Sequence, residues 1–142
     1  MFDCLAMEVV DAQIAAWRAR DAAAFVEYYA PDAVIVMGPG EGDTLEGSDA
    51  IWAHYENAFL EMPADTNLEI ANRITSGEYV IDEEALWGDG FAGEAVAIYR
   101  VQSVPILVQS QDFEFEDHYT RRCLITHVQF LPWVDHEEGV AE

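Results

Sequence analysis

The sequence predicts a single α+β domain, with helices in the first half of the chain and strands mostly in the second. Apolar residues recur at helical spacing near the N-terminus, a tight hairpin signal lies mid-chain, and alternating strand patterns follow it. The chain has 142 residues, of which 51% are hydrophobic, which suffices for one domain with its own core.

The first helix is predicted at residues 3–20, where Leu5, Val9 and Trp17 recur on one face and Gln13 is a polar group among them. A second helix, at residues 22–29, is capped by Asp21 and ended by Pro31. A strand at residues 33–37 leads into a glycine-rich loop, which lacks the lysine of a phosphate-binding loop. Ser48 then caps a third helix, at residues 49–62.

The clearest hairpin joins strands at residues 68–75 and 78–87 through a turn at Ser76-Gly77. This register places Ile70 opposite Glu83 and Asn72 opposite Ile81. Since side chains alternate along a strand, these four side chains are expected on the inner face, together with Ile74 and Tyr79.

The other face of this hairpin is then the outer one. It carries Arg73 and Asp82 as an exposed ion pair of little energetic value, together with Val80 and Glu84. Two more strands are predicted at residues 94–102 and 124–131, and residues 135–142 are predicted to be an acidic, solvated tail.

The charge of the chain excludes several kinds of partner. It has 28 acidic residues against 6 basic ones, a formal net charge of −22. Such a surface repels a phosphate backbone or an anionic membrane, so we expect no nucleic-acid or membrane binding. The acidity indicates either a solubility adaptation or a basic protein partner.

The N-terminus and the cysteines predict the compartment. The first residues are acidic rather than basic, unlike a signal peptide, and no apolar run is long enough to span a bilayer. A cytoplasmic location is therefore expected. Cys4 and Cys123 are too few and too far apart for a disulfide framework, and we expect them to remain reduced thiols.

Five segments carry a family resemblance: AWRARD at residues 16–21, YYAPDA at 28–33, GSDAI at 47–51, NRITSGEYVIDEE at 72–84 and AIYRV at 97–101. With the order of elements, they resemble the nuclear-transport-factor-2-like superfamily, which includes ketosteroid isomerases, SnoaL-like polyketide cyclases and limonene epoxide hydrolases. The resemblance implies a cone-shaped, curved, mainly antiparallel sheet whose three helices enclose a pocket. It also implies a homodimer, formed through the outer sheet face.

The resemblance covers residues 5–102 and 124–131 of one domain, residues 1–134. Between them, residues 103–122 form an insertion that is unusual for the family. It is interpreted as an extra edge hairpin or dimer contact, or alternatively as a lid over the pocket.

The catalytic residues of ketosteroid isomerase are not matched. By the resemblance, the base falls on Met37 or Gly38, the tyrosine donor on Gln13 and the second donor on Ala97. Proton transfer between carbons needs a carboxylate base and two such donors, so this activity in its usual form is not expected.

A different polar set is predicted to line the pocket. We expect Glu83 and His54 to act as catalytic proton carriers, because a buried carboxyl has a raised pKa and histidine titrates near neutrality. The expected ligand-binding residues are Gln13, Trp17, Met37, Tyr55, Phe59, Asn72 and Tyr99.

Each assignment has a structural alternative. A one-residue bulge would move Glu83 to solvent, and His54 on an amphipathic helix can be a surface histidine. Asn72 is either a satisfied structural amide or a ligand contact, and the aromatic residues can be core packing.

These residues predict a cofactor-free acid–base isomerase, cyclase or hydratase acting on a small apolar or cyclic metabolite. The alternative is a non-catalytic ligand-binding or assembly domain. No metal site is expected, because His118, His127 and His136 lack the spacing of metal ligands.

Overall fold

The computed structural model describes residues 4–38, 43–88, 90–108, 118–131 and 134–135. These residues form three helices and seven strands. In chain order they are α1 (Ala6–Arg18), α2 (Ala22–Val26), β1 (Tyr29–Val36), β2 (Thr44–Glu46), α3 (Ser48–Glu61), β3 (Asn67–Ser76), β4 (Tyr79–Gly88), β5 (Phe91–Val108), β6 (His118–Phe130) and β7 (Val134–Asp135).

One curved, unclosed sheet contains all the strands. Its order is β2-β1-β6-β5-β4-β3, with β7 paired to β5. Every pairing is antiparallel except that of β1 with β6. Helix α1 contacts strands β3 to β6, and α3 contacts β1 and β2, so the core lies between the helices and one face of the sheet. The predicted α+β class with a mainly antiparallel sheet is confirmed.

The helix starts differ in how they are capped. The Asp21 side chain accepts a hydrogen bond from the Ala24 amide at 3.0 Å and caps α2, as predicted. Ser48 is not a cap, because it is already helical; the N-cap of α3 is Gly47, at φ 91°. Helix α2 ends before the predicted residue 29, since β1 begins there. Pro31 is tolerated within β1 because the pairing with β6 is irregular between residues 29 and 34.

The turn between β3 and β4 lies one residue later than predicted. Ser76 pairs with Tyr79, so the two loop residues are Gly77 and Glu78. Gly77 has φ 58°, and a positive φ at the first loop position is a conformation that glycine adopts without strain. The shift places Asn72 opposite Glu83 rather than Ile81.

The buried face of β4 is the opposite one to that predicted, because the pairing of β3 with β4 has a bulge between residues 70 and 72. Val80, Asp82 and Glu84 are buried on the inner face, at 0%, 0% and 7% exposure. Ile74 and Tyr79 are exposed at 62% and 40%, so their predicted inward orientation is wrong. The pairing shifts again between residues 70 and 72, and this bulge leaves Ile70 opposite Glu84.

The described ends of the insertion continue β5 and β6. They pair from Ser103 with Cys123 to Val108 with His118, so they lengthen the hairpin between these strands. Residues 109–117 and the tail beyond residue 135 lie outside the described residues. The roles of the insertion as lid or dimer contact stay predictions.

The two cysteines form a disulfide. Cys4 and Cys123 are joined with their Cα atoms 5.6 Å apart, which ties the start of α1 to β6. The expectation of reduced thiols is wrong, because 119 positions of sequence separation gave no indication that the two elements are neighbours. No helix in the described part of the chain is long and apolar enough to cross a membrane.

Candidate functional site

Two joined cavities lie between the helices and the inner face of the sheet. The inner one is a polar niche of about 40 Å³, and the outer one is a largely apolar cavity of about 270 Å³. Trp17, Tyr55, Leu68, Glu84 and Phe130 line both. Glu84 therefore lies at the junction between the polar niche and the apolar cavity.

The outer cavity has apolar walls with a single charged group. Among its described lining residues, Glu84 alone carries an ionisable carboxyl, and no basic side chain is present. The lining residues are Trp17, Met37, Tyr55, Leu68, Glu84, Leu86, Ala95, Phe130 and Leu131.

A chain of hydrogen bonds crosses the inner niche and ends on Glu84. The Tyr29 hydroxyl donates to Gln13 Oε1 at 2.9 Å, Gln13 Nε2 donates to the Tyr99 hydroxyl at 3.4 Å, and that hydroxyl donates to Glu84 Oε2 at 2.8 Å. Since the Gln13 carbonyl accepts from Tyr29, its amide faces Tyr99. Every donor in the chain thus points towards the carboxyl.

Burial raises the pKa of Glu84 to about 7. The hydrogen bond from Tyr99 opposes this by lowering the pKa, Asp82 raises it, and Arg73 lowers it slightly. Glu84 therefore exists in both protonation states near neutral pH.

The three tyrosines of the niche remain neutral donors over the same range. Burial is the main cause that raises the pKa of Tyr29, Tyr55 and Tyr99 above the ordinary tyrosine value, and nearby Glu84 adds to it. Their hydroxyls consequently keep their protons when Glu84 titrates.

An ion pair next to Glu84 fixes the strand that carries it. Arg73 binds both carboxylate oxygens of Asp82, at 2.6 and 2.9 Å, and also contacts Asp11 on α1 at 2.7 Å. The Asp82 side chain is fully buried, so the prediction of an exposed pair is wrong. The pair links β3, β4 and α1, the elements that surround Glu84 and Gln13.

Several residues predicted from the sequence meet in the pocket. Gln13, Trp17, Tyr55 and Tyr99 line the inner niche, and Met37 lines the outer cavity. The predicted polar group on the buried face of the first helix is confirmed, since Gln13 is 2% exposed.

Four of the predicted site residues lie outside the two cavities. Phe59 is buried in the core and packs against Trp17, with their ring centroids 6.1 Å apart. Asn72 and Glu83 share a hydrogen bond of 2.6 Å on the outer side of the hairpin, because the bulge between residues 70 and 72 puts this pair on the outer face. His54 is exposed on α3, with its ring beside that of buried Tyr55, because it lies one position off the buried face.

Sequence reasoning missed Glu84 and Tyr29. Glu84 was assigned to the outer face because β3 was taken as a regular strand, whereas its bulge between residues 70 and 72 reverses which face of β4 is buried. Tyr29 was assigned to the end of a helix, whereas it begins β1.

The described residues contain no group of three or more histidine, cysteine, aspartate or glutamate side chains that could hold a metal ion. His118 and His127 are both exposed on β6, and His136 lies outside the described residues.

Comparisons with known proteins agree with this architecture. A model of the SnoaL-like domain matches residues 10–104. No curated protein matches the chain. A protein of unknown function from Burkholderia xenovorans, described as NTF-2 like, has a similar structure: TM-score 0.65, 18% identity, with 94% of this chain and 85% of that chain covered.

Two further solved structures are described by what they bind. A protein with a ketosteroid isomerase-like fold from Catenulispora acidiphila, in complex with trimethylamine, has a TM-score of 0.61 and 21% identity, covering 87% of this chain and 83% of that one. A computationally designed 17-OHP binder has a TM-score of 0.60 and 17% identity, covering 91% of each chain. At these identities the likeness establishes the fold.

Proposed function

The chain belongs to the SnoaL-like domain family, and we propose that its pocket is the active site of a cofactor-free enzyme that transfers a proton on a small, largely apolar molecule. Glu84 is the proton carrier. Isomerisation, cyclisation or hydration would each fit this chemistry.

The observation that carries the proposal is the position of Glu84. It is the charged group at the inner end of an apolar cavity, and its pKa is raised to about 7. A catalytic acid or base is most effective when its pKa lies near the working pH. At neutral pH the acid form can donate a proton and the carboxylate can accept one.

The hydrogen bonds of Glu84 give its two oxygens different roles. Tyr99 holds Oε2, and no described residue hydrogen-bonds Oε1. Oε1 is therefore available to exchange a proton with a bound molecule. Tyr99, oriented in turn by Gln13 and Tyr29, is a positioning residue for this carboxyl.

The cavity volume limits the size of the substrate. Benzene occupies an apolar protein cavity of about 150 Å³, and drug-sized ligands use about 300–1,000 Å³. A cavity of about 270 Å³ suits a compound of one ring or a short branched chain.

The test is a screen of monocyclic enones, epoxides and lactones for turnover, followed by a matched pair of variants. We expect Glu84→Gln to lower kcat by about 100-fold or more, because the amide cannot exchange the proton. Glu83→Gln, the same change on the opposite face of the same strand, should leave kcat within about twofold.

A binding module without catalysis is the second candidate. The trimethylamine complex and the designed binder favour it, since both proteins are described by a bound molecule rather than a reaction. Saturable binding of a screened compound with no turnover would support this candidate and contradict the enzyme. Turnover that is unchanged in Glu84→Gln would contradict Glu84 as the proton carrier.

We also propose that the chain forms a homodimer through the outer face of its sheet. Ile74 and Tyr79 are exposed on this outer face, whereas Arg73 and Val80, which were predicted on it, lie on the inner face. Ile74→Glu should produce a monomer by light scattering, whereas Leu60→Glu on α3, also exposed, should not. A monomeric native protein contradicts this proposal.

A further inference from the structure

Resting on the proposed function of the pocket, we propose that its ligand is a small organic cation, a tertiary amine or quaternary ammonium compound bound between Glu84 and the surrounding aromatic side chains.

Aromatic side chains from three separate elements line the outer cavity together with Glu84. Trp17 comes from α1, Tyr55 from α3 and Phe130 from β6. The electron-rich faces of aromatic rings attract organic cations, and clusters of such rings are the usual means by which proteins bind quaternary ammonium groups. A carboxylate in the same cavity adds a direct charge for the cation.

The charges of the cavity and of the chain both favour a cation. None of the described residues that line the outer cavity is basic. The nearby arginine, Arg73, is already engaged by Asp82 and Asp11. A formal net charge of −22 attracts cations over the whole surface and opposes an anionic ligand.

Desolvation explains why a cation fits better than a neutral ligand. An ionised carboxylate in an apolar cavity lacks a partner and is unfavourable, which is why the pKa of Glu84 is raised. A bound ammonium group would provide the missing counter-charge at Oε1. A neutral apolar ligand offers no counter-charge and would favour the protonated carboxyl instead.

The direct test compares choline with 3,3-dimethylbutan-1-ol, in which an uncharged carbon replaces the nitrogen. Binding is followed by NMR of methyl-labelled methionine, with Met37 as the reporter inside the cavity and Met62 as an internal control outside it. The Met37 signal is assigned with Met37→Leu. Measurements at pH 8 in 0.5 M NaCl suppress attraction to the outer surface by screening.

We expect choline to shift the Met37 signal saturably, with an affinity about tenfold higher than that of 3,3-dimethylbutan-1-ol. Glu84→Gln should remove most of this preference, and Glu83→Gln should retain it. If the neutral compound binds equally well or better, the cation inference fails while the pocket remains a small-molecule site. If neither compound shifts Met37, the cation inference fails, whereas the proposed function is decided separately by turnover in the screen of neutral compounds.

The pH dependence gives an independent readout because choline stays charged throughout. Its affinity should fall about tenfold from pH 8 to pH 6, as Glu84 is protonated around pH 7. The other titratable groups that face Glu84 are Tyr29, Tyr55 and Tyr99, which stay neutral over this range because burial raises the pKa of each, and Asp82, which is paired with Arg73. An affinity independent of pH would contradict the role of Glu84.

Discussion

Tyr99 on β5 donates its hydroxyl proton to Oε2 of Glu84 on β4 at 2.8 Å, with both side chains buried. A hydrogen bond to a carboxylate favours the ionised form, so Tyr99 acts against the desolvation that raises the pKa of Glu84. The balance between these two effects sets the protonation state of the candidate active site.

Removing this hydrogen bond should raise the pKa of Glu84 further. In Tyr99→Phe the carboxylate loses its donor while its burial is kept, so the half-ionisation point should move above the value of about 7. Carboxyl ¹³C chemical shifts measured against pH would report the change. Tyr79→Phe, which alters an exposed tyrosine on the outer face, is the control. A lower half-ionisation point in Tyr99→Phe contradicts this interpretation.

Glu84 should also make the stability of the protein depend on pH. Its pKa is about 7 in the folded state against an ordinary value of 4.5, so its contribution to folding is fully present below pH 4.5 and is lost as the pH rises through 7. Between pH 5 and pH 8 we expect the free energy of unfolding to fall by roughly 2–3 kcal/mol relative to Glu84→Gln.

Urea denaturation of the native protein and of Glu84→Gln at pH 5 and pH 8 measures the difference in their free energies of unfolding. Because both proteins carry the other acidic residues, the comparison cancels the general repulsion among them. Glu83→Gln should keep the pH dependence of the native protein. Equal pH dependence in the native protein and in Glu84→Gln would show that the carboxyl titrates in solvent.

The ion pair of Arg73 with Asp82 should contribute strongly to folding. Arg73→Met leaves the fully buried Asp82 carboxylate without its partner, which typically costs about 3–5 kcal/mol. Arg100→Met removes the exposed pair with Glu78 and should change stability little. Urea unfolding at pH 7 distinguishes the two, and similar losses in both variants would contradict the difference in burial.

The disulfide should be present in the purified protein and should stabilise it. Thiol titration after purification without reductant is expected to find no free thiol from Cys4 or Cys123. The loop that the bond closes is long, so Cys4→Ser should lower the free energy of unfolding by about 2–4 kcal/mol. Two reactive thiols in the native protein would contradict the bond.

Much of the fold could be predicted because it depends on local patterns. Periodicity located the three helices, and the hairpin signal located β3 and β4 to within a residue or two at their ends. Asp21 at the start of α2 and Gln13 on the buried face of α1 were also identifiable, since each follows from spacing alone.

The candidate site depended on register, which local patterns determine weakly. Ile70 lies on the inner face as predicted, yet the bulge between residues 70 and 72 puts Arg73 rather than Asn72 on that face, and Glu84 rather than Glu83 is buried as a result. The apolar side chains of Ile81 and Tyr79 favoured the wrong face. Their strand instead buries Asp82 and Glu84, which is acceptable only because Arg73 and Tyr99 satisfy them from neighbouring strands.

The pKa of Glu84 itself is the most direct test of the account. Carboxyl ¹³C shifts of the glutamate-labelled protein, followed from pH 4 to pH 9 and assigned by the signal missing in Glu84→Gln, give its half-ionisation point. A value of about 7 supports a buried carboxyl that exchanges protons at neutral pH. A value near 4.5, the ordinary pKa of a glutamate side chain, would mean that Glu84 is solvated, and the proposed proton carrier would be contradicted.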